Sequence, residues 1–183
     1  MKNTFPKLVR LNKPPLPDAY GVANSPLGYF LAVWQGEMLV RLHLMPAHTE
    51  KEAAKFLKDW GWDSNIKADP KRAEKLIGQL FTKNRWTGVF PASLSLGFYG
   101  TDFQWAAMQK MLKVPAGKTT TYAGLATAAN ANGASRAAGS VCSRNPLPFV
   151  VPCHRILATN GGLGNYGFGT ALKRQLLDWE LNS

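Results

Sequence analysis

The chain has 183 residues, 45% of them hydrophobic and 18% charged, enough apolar material for one compact domain or two small packed ones, which excludes a disordered or fibrous protein. Lys and Arg number 22 against 11 Asp and Glu, a formal net charge of +11, so nucleic acid leads as the partner and an acidic membrane surface comes second. Two cysteines, Cys142 and Cys153, and three histidines make neither a disulfide framework nor a paired metal motif, so no metal or other cofactor is expected and a cysteine that matters does so as a thiol.

Residues 1–18 are rich in Lys, Arg and Pro and read as an extended basic arm. They lack the apolar segment of a signal peptide, and no later run reaches the roughly 20 residues of a membrane span. A soluble protein, cytoplasmic or, in a eukaryote, nuclear, is expected. From Tyr20 to Leu44, apolar runs Leu27–Trp34 and Met38–Leu44 flank Gln35-Gly36 and predict a hairpin. Thr49 and Glu52 predict a capping box before a helix with Ala53, Leu57 and Trp60 on one face. Asp69-Pro70 opens a second helix, with Leu76, Ile77, Leu80 and Phe81 inward. Trp86 to Phe98 reads as a last strand running into a linker.

After Gly100 the texture becomes helical. Thr101 and Gln104 cap a helix over Phe103–Lys113 that Pro115 and Gly117 end. Thr121 caps a helix from Tyr122 to about Asn130, Ala131-Asn132-Gly133 is a turn, and Ala134–Cys142 is helical again up to Asn145-Pro146. Two short helices about a glycine turn outline a helix-turn-helix. In the second, Ala134, Ala137, Ala138 and Val141 follow the spacing of an inward face. Arg136 lies on the outer face, and the small Ser135, Gly139, Ser140 and Ser143 leave room for a phosphate backbone.

Residues 149–157 read Phe-Val-Val-Pro-Cys-His-Arg-Ile-Leu. A free thiol is only a few per cent ionised at neutral pH, so a nucleophilic cysteine needs His, Arg or a helix N-terminus nearby. His154 and Arg155 adjoin Cys153, but neighbours on extended backbone point apart, so a water or a reoriented turn must connect Cys153 to His154. The base also needs an orienting carboxylate. The last helix, with Leu172, Leu176 and Trp179 inward, can bring Glu180 back to it.

Val151-Pro-Cys-His-Arg-Ile-Leu157 resembles the active-site signature of the O6-alkylguanine-DNA alkyltransferases, the methylated-DNA–protein-cysteine methyltransferases. Gly100-Thr-Asp-Phe-Gln104, Val114-Pro-Ala-Gly117, Thr121-Tyr122, Arg136-Ala-Ala-Gly139, Asn145-Pro-Leu-Pro148, Asn165-Tyr166 and Glu180 extend the resemblance over residues 94–181. In the N-terminal half it rests on Ser25-Pro-Leu-Gly28 and the hairpin after it. The resemblance implies an α+β fold: a small ribonuclease H-like α/β domain over residues 1–93, packed on a helical winged helix-turn-helix domain over residues 94–183.

It also implies that Cys153 accepts an alkyl group irreversibly from O6-alkylguanine, with O4-alkylthymine a second candidate, in double-stranded DNA after base flipping. His154, joined to Cys153 by a water and held by Glu180, takes the thiol proton. Tyr122 donates toward guanine N3, and Asn145 ties the recognition helix to the active-site strand. The carbonyls of Cys153 and Ile156 read the exocyclic amine, the Tyr166-Gly167 loop offers an N–H near O6, and Arg155 braces the site. Arg136 fills the gap in the stack, while Ser135, Ala137 and Gly139 face a minor groove read with little sequence preference. A monomer is implied, with no membrane partner.

The chain departs from the family at three places. Ala107-Met108 stand where Val-Trp is usual, with Trp105 expected to refill the volume. Phe168, between Gly167 and Gly169, sets a ring beside the predicted pocket. The early Cys and His that hold zinc in some members are missing, since His43 and His48 have no cysteine partners. Three rivals remain: a non-catalytic alkyltransferase-like protein, which lacks the acceptor cysteine; a winged-helix regulator with Cys153 as redox sensor; and a cysteine hydrolase.

Overall fold

Alternating apolar residues drive the N-terminal half into strands. The computed structural model describes residues 5–46, 49–62, 66–91 and 93–182; His48 and the first four residues of the expected arm lie outside them. β2 (Ala19–Ser25), β3 (Gly28–Gln35) and β4 (Met38–Met45) form an antiparallel meander. The expected hairpin is thus its β3–β4 half, and Ser25-Pro-Leu-Gly28 turns β2 into β3. β5 (Lys67–Ala68) joins β2 in parallel, and β8 (Ser95–Phe98) joins β4 in parallel. Beyond β8, β1 (Lys7–Arg10) closes the order β1-β8-β4-β3-β2-β5.

Two expectations are corrected here. Part of the basic arm is an edge strand, because Leu8 and Val9 have apolar cover and β8 offers a free row of peptide groups. The stretch from Trp86 to Phe98 is not one strand with a linker. Arg85–Trp86 (β7) pairs with Phe81–Thr82 (β6), and Ser95–Phe98 is an interior strand of the main sheet.

Helices cover both faces of the sheet, so Phe30 to Trp34 of β3 is buried without interruption. On one face α1 (Glu50–Asp59) lays Ala53 and Leu57 on Leu31, Val33, Val40 and Met45. Thr49 Oγ1 accepts from Glu52 N at its start. On the other face α2 (Pro70–Leu80), capped by Asp69, buries Ala73, Leu76, Ile77 and Leu80. That second core runs without a break into the C-terminal half.

There, α3 (Asp102–Leu112) begins with the complete Thr101/Gln104 capping box. Met108 is wholly buried and itself fills the volume assigned to Trp105, which stacks half-buried on Phe98 at 6.5 Å. α4 (Tyr122–Ala128), capped by Thr121, and α5 (Ser135–Ser143) follow the predicted order about Gly133, whose φ is 80°. Ala138 and Val141 are buried, but Ala137 is exposed, because α5 packs along a narrower stripe than the apolar spacing suggests. α6 (Thr170–Leu181) closes the chain. No helix of the described residues is long and apolar enough to cross a membrane.

Phe30 of β3 meets Phe149 edge-on at 4.8 Å and Phe81 at 6.0 Å, so it joins the sheet to the C-terminal half. Phe30→Ala is expected to lower unfolding free energy by about 3–5 kcal/mol, measured by urea denaturation; a loss below about 1 kcal/mol would show that the junction collapses around the cavity.

Candidate active site

Asn145-Pro146 ends the α5 segment and the chain returns into the core through Leu147, Phe149, Val150 and Val151, all wholly buried. Pro152 then lets it tighten into a 3-10 turn over Cys153–Arg155, with Cys153 N donating to Val151 O (2.8 Å) and Arg155 N to Pro152 O (2.9 Å). Cys153 is therefore not on extended backbone but shares a tight turn with His154 and Arg155. Asn145 holds the approach, donating from Nδ2 to Val151 O (2.7 Å) and accepting from Leu147 N (3.0 Å).

Behind the turn lies a buried charge cluster. Glu180, on α6, accepts from His154 Nε2 (2.9 Å), Arg155 Nε (2.9 Å) and Nη2 (2.7 Å), Trp86 Nε1 (2.9 Å) and Gly117 N (3.2 Å). Burial by itself would raise this carboxyl, but hydrogen bonds and charge from His154 and Arg155 bring it down to about 2. It is ionised at neutral pH and can only accept, so Nε2 of His154 carries the proton and Nδ1 is bare. That Nδ1 is buried with no protein partner. Burial, more than Glu180's attraction, lowers the imidazole pKa and keeps the ring neutral. Arg155 is wholly buried and also donates to Val114 O and Gly88 O. A Cβ on Gly88, whose φ is 64°, would stand 2.7 Å from the guanidinium and 2.9 Å from Glu180 Oε1, so only glycine fits there.

In front of the turn is an open cleft of about 620 Å³. Cys153, Tyr122, Arg136, Ser135, Gly139, Tyr166 and Gly167 all border it. The fold thus gathers most of the predicted site in one place, with Arg136 exposed on the rim. Ala137 is exposed on the same helix but does not border the cleft. Tyr122 donates to Asn165 O at 3.2 Å, and burial, then the neighbouring thiols, raise its phenol. Gly164 lets the loop pass over that ring, since a Cβ would sit 2.9 Å from it. The carbonyls expected to read the base each already accept one bond, Cys153 O from Ile156 N and Ile156 O from Lys173 Nζ (2.6 Å), leaving a second lone pair apiece.

Sequence reasoning missed Lys173 and Trp86. Lys173 is wholly buried, donates also to Leu163 O (2.5 Å), stands over the Tyr122 ring at 5.7 Å and pairs with no carboxylate among the described residues. Burial lowers its pKa, and the Cys153 and Cys142 thiols act the other way. Its signal was present: Lys173, Leu176 and Glu180 share one stripe of α6, and that is the face the fold buries, with Leu172 and Trp179 only half-buried. Burial pushes the Cys153 thiol up, opposed by the Asn145 side chain and the Lys173 charge. Cys142 is pushed up to about 12, again by burial. Phe168 turns from the cleft toward the sheet, meeting His43 at 5.4 Å and Phe149 at 5.5 Å. Among the described residues no cluster of three or more His, Cys, Asp or Glu could hold a metal ion.

The profile of the 6-O-methylguanine DNA methyltransferase DNA-binding domain matches residues 102–182. The methylated-DNA–protein-cysteine methyltransferase of Mycobacterium bovis is 32% identical over 161 residues, covering 88% of this chain and 91% of its own. The constitutive enzyme of that name from Bacillus subtilis is 32% identical over 170 residues, covering 88% and 94%. In structure the chain is similar to Mycobacterium tuberculosis OGT in complex with DNA, with TM-score 0.70 and 27% identity over 90% of this chain and 93% of that one.

The lowered Glu180 pKa has a stability consequence. Because the folded value lies below the ordinary 4.5, its contribution is complete above pH 4.5 and is lost as pH falls toward 2. Glu180→Gln leaves Arg155 buried without its partner and is expected to cost about 3–5 kcal/mol near pH 7. The gap from wild type should narrow on acidification from 4.5 to 2, followed by denaturant titration at each pH; a gap independent of pH would mean the carboxyl is not ionised.

Proposed function

The chain belongs to the methylated-DNA–protein-cysteine methyltransferase family, and from that premise we propose that Cys153 is the atom to which it moves the alkyl group of O6-alkylguanine during DNA repair. The observation that carries this reading is the thiol's position at the floor of the cleft, one residue from a neutral imidazole whose other nitrogen is held by an ionised carboxylate. Histidine Nδ1 takes the thiol proton through a bridging water. Sγ then attacks the alkyl carbon, the S–C bond forms as the C–O6 bond breaks, and the electron pair goes to the guanine ring. Tyr122, kept protonated by its surroundings, gives a proton to N3. The proton His154 gained balances the one Tyr122 lost, and the products are guanine and a thioether.

The remaining assignments follow the cleft. Second lone pairs on Cys153 O and Ile156 O accept from the exocyclic amine, Gly167 offers its N–H near O6, and Asn145 and Arg155 hold the turn rigid. A base in a duplex cannot reach Sγ from the stack, so it rotates out at a cost of about a few kcal/mol. Arg136 takes its place, while Ser135, Ala137 and Gly139 let α5 lie close in the minor groove, where sequence readout is poor. We read α4 and α5, with the β9 (Thr120–Thr121) and β10 (Ile156–Leu157) pair, as a winged helix-turn-helix. The meander extended by parallel strands is read as ribonuclease H-like. Since β8 belongs to that sheet, the division falls near Gly100. The protein acts as a monomer and is placed in the cytoplasm, or the nucleus of a eukaryote.

Incubated with a duplex containing O6-methylguanine, wild type should gain the mass of one CH₂, once per chain and on Cys153, while Cys153→Ala should bind without gaining it. Turnover beyond one equivalent, or labelling of Cys142, would overturn the assignment. Arg136→Ala should slow repair of the duplex by about tenfold or more yet leave reaction with free O6-benzylguanine within about twofold, since only the duplex requires extrusion; equal losses on both would make Arg136 structural.

A further inference from the structure

Cys153 borders a second space. Behind it, on the side of the sheet, is a chamber of about 250 Å³, room for about eight waters at their bulk volume. One wall is contributed by the N-terminal unit, because Leu42 N, in the middle of β4, donates to Pro146 O at 2.9 Å and pins that strand against the segment leading to Cys153. This wall brings Arg41 and His43; the other side brings Arg144, Tyr166 and Phe168. The front cleft and this chamber are both bordered by Cys153, Tyr166 and Gly167, so an O6 substituent longer than a methyl, with its first carbon at Sγ, can extend into the chamber.

The chemistry of the walls selects among such substituents. Phe168 packs on the His43 ring at 5.4 Å and on that of Tyr166 at 5.7 Å, and the three rings make a continuous aromatic wall on which a planar ring can lie. Burial, then the Arg41 charge, lowers His43 to about 4, so at neutral pH it is an aromatic surface and adds no cation. Arg41 is fixed by stacking over Trp60 at 4.1 Å and Trp62 at 6.0 Å, and Arg144 caps the end of α5. Neither arginine is in an ion pair among the described residues, and no Asp or Glu borders the chamber. Two cationic residues bordering the same space as an aromatic wall, with no protein anion beside them, match a ring that carries a negative charge.

We propose that this chamber is an adduct subsite that favours O6 substituents combining an aromatic ring with an anionic end, a carboxybenzyl group being the simplest. The proposal rests on Cys153 being the acceptor, and the step is the transfer already described, with the benzylic carbon in place of methyl.

The test uses free bases, so that DNA binding and base extrusion do not enter. Rates of Cys153 alkylation are measured by intact mass for O6-benzylguanine and O6-(4-carboxybenzyl)guanine. Wild type is expected to prefer the carboxylate by roughly tenfold. In the Arg41→Gln/Arg144→Gln double variant, with its melting temperature measured alongside, the ratio should fall to about one. Arg144→Glu, on an exposed side chain, should turn the preference toward a 4-(aminomethyl)benzyl adduct. No preference in wild type, or one that survives the double variant, overturns the subsite. Transfer of methyl from a duplex with neither free base reacting overturns the subsite and leaves the alkyl-transfer reading standing; failure of every substrate to label Cys153 removes the reading itself.

Discussion

The interaction on which the rest of this structure depends is the buried carboxylate of Glu180. An ion of this kind is stable away from water only if its lone pairs are filled, and the fold fills those of Glu180, on the last helix, from three separated stretches of chain: Trp86, Gly117, and His154 with Arg155. These stretches must be packed together before the charge is tolerable, so the carboxylate makes the arrangement all-or-none. The same donors that make it tolerable also decide its chemistry. Held near 2, it stays an acceptor, fixes the tautomer of His154 and leaves one imidazole nitrogen bare.

Trp86 gives this cluster a further meaning. It lies in the N-terminal half, is wholly buried, donates to Glu180 at 2.9 Å and faces the His154 ring edge-on at 6.3 Å. The strand unit is therefore in direct contact with Glu180 and His154. Along the same seam Leu42 bonds Pro146, and Phe149 is held between Phe30, Trp86 and Phe168. Phe149 has a φ of 70°, a conformation that costs a non-glycine residue about 1–3 kcal/mol and persists only where packing over-determines it. That local cost is accepted four residues from the Cys153 thiol, where the chain returns from α5 into the core.

The front of the site is built on the opposite principle. Arg136, Ala137 and Ser140 are exposed on a helix of small residues, and the cleft above Cys153 is open. A rigid interior and an open rim suit a protein that must receive a large partner on one side and hold a thiol, a base and a carboxylate fixed on the other. Cys153, His154 and Glu180 belong to the core, and the positive charge of Arg136 belongs to the surface.

Much of this was legible in the residue order. Caps at Thr101 and Thr121, the glycine turn at Gly133 and the Pro-Cys-His-Arg run are local signals: a cap needs only the three residues after it, and a nucleophile motif only its neighbours. The helices of the C-terminal half and the exposed position of Arg136 followed from them. What lay beyond such reading depended on contacts distant in sequence. Lys7–Arg10 became a strand because Ser95–Phe98 offered it an edge, and Ser95–Phe98 entered the sheet because β4 stood beside it. Lys173 carries a charge, yet is buried because two carbonyls from other segments accept hydrogen bonds from its ammonium group. By itself the sequence determined the central hairpin, the capped helices, the local grouping of Cys153, His154 and Arg155, and the net positive charge. Only the tertiary structure decided which charged groups could leave water, since a lysine, an arginine or a glutamate is buried when partners brought from elsewhere in the chain replace its hydration, and no local pattern encodes where those partners will be.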